Sequence, residues 1–286
     1  MSIASDRSQF VFQKTERAVL KLSSGQNAES VHGFRTMSRR LQTLLEQLLP
    51  ERDRNQTKLL KSLNRIRRRA GKVRDIDVQL AALRSLKVPQ EPRRKTQLMQ
   101  GLIELRGRHE KKLRKMLTKE VIRELRRRLK RGAKEIRLET SRDPLRVAQS
   151  MLKKVVRPSE PVSEDVLHRF RMVVKRARYA AEFAPKSPEA SQFISRLKRL
   201  QDALGNWHDW LTLTQSAASR FGDVNQSSLV VALHNLTGSK FRQAVAALSA
   251  SPTLKPVAKP APPSSAQLRK ASARSPRFVE PTESAA

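Results

Sequence analysis

"VHGFRTMSRRL" (Val31–Leu41) and "LHRFRMVVKRA" (Leu167–Ala177) share one frame, 136 residues apart: an apolar residue, His, any residue, Phe-Arg, three more residues, then a basic pair. On a helix, residues advance by about 100° each. With His168 as origin, Arg171, Lys175 and Arg178 share its arc of roughly 80°. Phe170, Val173, Val174, Ala177, Ala180 and Ala181 take the opposite side. In the first copy His32, Arg35 and Arg39 fill the same arc, and Gln42 stands where Arg178 does. Charge that only solubilises a helix has no need of this phasing. Helix starts are marked at Asn27 and Ser163, N-cap residues each followed by acid in the first turn (Glu29; Glu164 and Asp165). Both helices are expected to stop near a proline, Pro50 and Pro185.

A second repeated helix follows each of these. "LLKSLNRIRRRAGKVRDIDV" (Leu59–Val78) aligns with "FISRLKRLQDALGNWHDWLT" (Phe193–Thr212) at an offset of 134. Leu60, Leu63, Ile66, Ala70 and Val73 then match Ile194, Leu197, Leu200, Leu204 and Trp207, one buried stripe at helical spacing. Gly71 matches Gly205 and Asp75 matches Asp209. Elsewhere Gln97–Lys130 is a long basic stretch with an apolar seam, and Leu145–Val156, Leu211–Phe221 and Ser228–Leu248 read as helices. Period-two alternation and hairpin turn signals are absent. Two copies of a roughly four-helix unit imply an internally duplicated, all-α protein with two-fold pseudosymmetry.

Composition narrows the function. The 286 residues include 60 Lys+Arg and 26 Asp+Glu, a net charge of +34. The stretch from Ser251 is rich in Pro, Ala, Ser and Lys and reads as a disordered tail. It holds only six basic and two acidic residues, so the charge belongs to the folded body. Such a body repels itself unless it meets a polyanion. With no cysteine, disulfides, thiolate metal sites and Cys nucleophiles are excluded. No apolar run approaches membrane-spanning length and the N-terminus lacks a signal-peptide core, so a cytoplasmic protein without membrane insertion is expected.

The phased face has the chemistry of an anion site. Arg forks and Lys point charges bind phosphate oxygens, and a histidine beside phosphate gains a proton more readily. Two such helices facing each other would wall a groove suited to a long, uniformly charged ligand. Arg74 and Lys198, from the second repeated helices, are placed to reach it. Asp75, Asp77, Asp202 and Asp209 read as carboxylates that hold arginines in place or cap helices, rather than as metal ligands. Gly71 and Gly205 suit a bend or a close helix contact. No P-loop motif occurs.

The motif H-x-x-R followed by Arg39/Arg40, and "LHRFRMVVKRARYAAEF" (Leu167–Phe183) followed by "LKRLQDALGNWHD" (Leu197–Asp209), resemble the two halves of a CHAD domain (conserved histidine α-helical domain). The resemblance runs over roughly residues 8–250. It implies two four-helix bundles related by a pseudo-two-fold axis, with a central basic channel. It places the domain in residues 1–250 (halves of about 8–140 and 143–250), with the tail at 251–286. It further implies binding of inorganic polyphosphate, in some members at polyphosphate granules. Carried over by motif, the binding positions are His32, Arg35, Arg39 and Arg40 in the first half. In the second they are His168, Arg171, Lys175, Arg176 and Arg178, joined by Lys198 and Arg74. Gln42 replaces a usual basic residue and Ala177 a usual leucine. The first wall is therefore expected to be the weaker, and the second half to grip harder. Many such domains are fused to a triphosphate tunnel domain with an E-x-E-x-K strand; none is found here, which implies the stand-alone binding form.

Two other classes compete. A nucleic-acid binder would suit the charge and the basic tail, but aromatics are only 4% of residues, which leaves few platforms for base stacking. An enzyme of polyphosphate metabolism would need carboxylate-held metal, and the motif face gathers cations without acids. The expectation is a binding protein with no cofactor, no metal and no catalysis.

Overall fold

The computed structural model describes residues 3–49, 51–87, 91–136, 142–155, 162–222 and 224–250. Nine α-helices make up nearly all of them, and no strand occurs among the described residues. They are α1 (Ile3–Ser24), α2 (Ala28–Thr43), α3 (Arg54–Ser85), α4 (Pro92–Arg114), α5 (Lys119–Glu135), α6 (Pro144–Lys153), α7 (Glu164–Ala181), α8 (Pro188–Phe221) and α9 (Ser228–Ser249). A π-helical turn, Leu44–Leu48, prolongs α2. Pro50 and the tail from Ser251 lie outside the described residues.

Local sequence explains the starts. Asn27 accepts a hydrogen bond from the Ser30 amide at 2.8 Å, and Ser163 one from the Val166 amide at 3.3 Å, so both expected caps form. At α3 Asp53 and Gln56 close a reciprocal capping box. Each such cap stabilises its helix by about 1 kcal/mol.

Packing order repeats along the chain. In the first half α1 packs on α2, α2 on α3 and α3 on α4; in the second α6 packs on α7, α7 on α8 and α8 on α9. Among the described residues helix α5, on α1 and α3, has no counterpart, so the halves there hold five helices and four. The halves meet through α2 against α7 and α3 against α8. Their apolar clusters are shared rather than divided one to each half. The larger joins Phe34, Leu63 and Val73 to Phe170, Leu204 and Trp207. The smaller joins Ile76, Leu83 and Leu102 to Leu213, Leu229 and Leu233. The motif helices are thus anchored on a common core.

Two expected segments divide differently. Gln97–Lys130 is split between α4 and α5 by an elbow at Lys115–Thr118, where the Thr118 hydroxyl accepts from the Val121 amide. Leu113, Leu125 and Leu129 are buried on either side, so the seam continues across a break that no Gly or Pro announces. Leu211–Phe221, expected as a separate helix, is instead the end of the 34-residue α8. That helix stops at Gly222, whose φ of 83° favours glycine.

Candidate functional site

Burial of one stripe on each of four helices turns the neighbouring stripe inward. On α2 Val31, Phe34, Ser38 and Leu41 are buried, and on α7 Leu167, Phe170, Val174 and Ala177. His32, Arg35 and Arg39 flank the first row; Arg171 and Lys175 flank the second. Because α2 packs on α7, the two cationic arcs converge. From α3, Arg67 and Arg74 enter the same space. Six cations therefore gather there, Arg35, Arg39, Arg67, Arg74, Arg171 and Lys175, each felt electrostatically by others of the group.

Desolvation and mutual repulsion act together on this cluster. Burial, reinforced by Arg39, Arg171 and Arg35, brings the Lys175 ammonium down to about 7. Burial, then Arg39 and Arg35, lowers Arg67 to about 10. Arg35 and Arg171 are held below the ordinary arginine range chiefly by burial, opposed by Asp75 and Asp209 respectively. His32 is lowered by partial burial and then by Arg74, Lys175 and Arg35. His168 is lowered by partial burial, by His208 and by Arg171.

The two aligned aspartates serve arginines. Asp75 lies 3.6 Å from the Arg35 guanidinium, and Asp209 offsets the charge of Arg171 and Lys175. Asp77 belongs elsewhere: it accepts from Arg106 Nε at 2.6 Å and ties α3 to α4. Gly71 makes room, since a Cβ there would stand 2.4 Å from Arg35 Nη1. Among the described residues no three His, Cys, Asp or Glu side chains converge as a metal site would require.

Other candidates are engaged at the margin of this cluster. Arg40 Nε donates to Glu182 Oε2 at 2.7 Å, and Arg178 Nη1 donates to Glu182 Oε1 at 2.6 Å. Both guanidiniums also lie over the Tyr179 ring. Together they clamp the end of α7 to α2. His168 stacks at 5.5 Å on His208, at the Arg171 end. Arg176 and Lys198 are exposed, and neither is among the charges that shift the groups of the cluster.

Two residues were missed by motif phasing, Arg67 and His208, and the 134-residue offset contains both. Arg67 aligns with Gln201, and His208 with Arg74. Arg67 Nη1 donates to Gln42 Oε1, while Arg178 Nε donates to Gln201 Oε1 at 2.9 Å. The α2–α3 and α7–α8 interfaces therefore carry the same Arg–Gln pair with the partners exchanged. Gln42 does not leave its wall short of charge, because Arg67 supplies it from the next helix. Arg178, by contrast, shares the Glu182 carboxylate with Arg40. The cluster thus draws Arg35, Arg39, Arg67 and Arg74 from the first half and Arg171 and Lys175 from the second.

An all-helical protein that brings two sequence repeats together around a cation cluster is the class defined so far. The CHAD domain profile matches residues 10–218, and the chain belongs to that family. Among solved structures, it is similar to the CHAD domain from the plant Ricinus communis, at 18% identity and a TM-score of 0.59, covering 93% of this chain and 89% of that one. It is also similar to PptA from Streptomyces chartreusis, at 16% identity and a TM-score of 0.59, covering 85% of this chain and 94% of that one. No curated protein matches the sequence.

Proposed function

We propose that this protein binds inorganic polyphosphate through the cluster between α2, α3, α7 and α8, which acts as a basic channel. The observation that carries this reading is the convergence of six cations from both repeats, four of them (Arg35, Arg67, Arg171 and Lys175) lowered chiefly by burial, against the carboxylates Asp75, Asp209 and Glu46. Such a cluster is costly when empty, and a linear polyanion relieves repulsion at every position at once. Family membership supports the same ligand. Phosphoryl transfer needs carboxylates gathered to hold metal, whereas Asp75 lies beside the Arg35 guanidinium and Asp209 acts electrostatically on Arg171, with no acidic cluster among the described residues. The role is binding without chemistry, for storage or at polyphosphate granules.

Combined replacement of Arg35, Arg39, Arg171 and Lys175 by Gln tests this. Polyphosphate binding by the purified protein should be abolished, with helicity by circular dichroism retained. Binding that persists in this folded variant would assign the ligand to the remaining surface charge.

A further inference from the structure

Most of the arginine charge on α4 and α5 is already matched. Arg106 pairs with Asp77 and Glu110, Arg126 with Glu16, Arg127 and Arg128 with Glu124, and Arg131 with Glu135. The outer face of α3 differs. Arg65, Arg68, Arg69 and Lys72 form a stripe beside the buried row, and across from them stand Lys112 and Lys115 at the α4–α5 elbow. Among the described residues none of these six has a carboxylate within 4.0 Å. They line an open cavity of about 1140 Å³ that holds eight Lys and Arg against a single acid, Glu46. Glu46 itself is engaged by Gln42 at 2.8 Å and lies 3.8 Å from Arg52. A concave surface of one sign focuses potential and concentrates counterions. His109, lowered by burial and then by Lys72 and Lys112, reports that the α3 and α4 cations share one space.

The cavity adjoins the central cluster. Gln42 receives the Arg67 guanidinium on one side and holds Glu46, a lining residue, on the other. Arg68 of the stripe is close enough to Arg67 to lower it. Along α3, Lys61 to Lys72 covers about 16 Å at 1.5 Å per residue. We propose that this cavity is a second polyanion subsite, which takes the phosphates of a long polyphosphate chain that has passed Arg67. The proposal rests on the central cluster being the primary polyphosphate site. It makes affinity dependent on chain length: short chains occupy the cluster alone, and long chains occupy both.

The test uses the full chain with Arg65, Arg68, Arg69 and Lys72 all replaced by Gln. These four side chains are exposed, and circular dichroism checks the fold. Dissociation constants are measured against short-chain polyphosphate, long-chain polyphosphate and duplex DNA over a salt series. Short-chain binding should match wild type, while long-chain affinity should fall at least tenfold. The long-chain salt slope should shrink by about 3, at roughly 0.7 per lost phosphate contact. Equal loss on both chain lengths would make the stripe part of a diffuse field and overturn the subsite. So would unchanged long-chain binding, including the case where only DNA binding is lost. A wild-type protein that binds neither polyphosphate would instead overturn the primary site, and the subsite with it.

Discussion

At the scale of single residues, Lys175 makes the cluster sensitive to pH. Its ammonium is brought to about 7 by burial and by Arg39, Arg171 and Arg35. A phosphate beside it favours the charged form. Affinity for polyphosphate should therefore fall as pH rises through about 7, and rise again on acidification as His32 and His168 gain protons. Stability of the free protein runs the other way. Between about 7 and the ordinary lysine value of 10.5, the unfolded chain holds this proton and the folded one does not, so stability from this group rises with pH across that window. An arginine at this position keeps its charge through neutrality, and Lys175→Arg should flatten the binding profile just above it; coincident wild-type and variant profiles would exclude Lys175 as the titrating group. Phasing on the helical wheel made His32, Arg35, Arg39, Arg171 and Lys175 legible, because burial of the apolar stripe dictates where its neighbours point. Arg40 and Arg178 were less legible, since their role depends on Glu182, a partner that only the packing of α2 on α7 supplies.

At the scale of elements, the exchanged Arg–Gln pair predicts a compensation. Arg67→Gln should weaken polyphosphate binding roughly threefold to tenfold, the size of one lost phosphate contact. Adding Gln42→Arg restores the pair in the orientation seen at Arg178–Gln201, and should recover most of that loss. Arg178→Gln should cost less, because that guanidinium is already paired with Glu182. Titration of the three variants checks the order; no effect from Arg67→Gln would remove it from the site. The swap was present in the two offsets but invisible on one helix at a time. Helix boundaries show the same limit. The α4–α5 elbow has Thr118 and Glu120 as its only marks, and no breaker separates Trp210 from Leu211 in α8.

At the scale of the whole molecule, a net charge of +34 attracts any polyanion, so the question is where that charge is left unmatched. No helix of the described residues is long and apolar enough to cross a membrane. Trp207 is 1% exposed and packs edge-on to Phe241, which removes it as a platform for bases. The arginines of α4 and α5 are largely paired with glutamates in place, whereas the cluster brings six cations together against three carboxylates, Asp75, Asp209 and Glu46. With six phosphate contacts at roughly 0.7 each, log affinity should fall with log salt at a slope of about −4. The most direct measurement is competition: labelled duplex DNA bound to the full chain, displaced by long-chain polyphosphate at fixed salt. Polyphosphate as the ligand of the cluster predicts displacement at far lower phosphate concentration than unlabelled DNA requires. Equal potency per phosphate would contradict it.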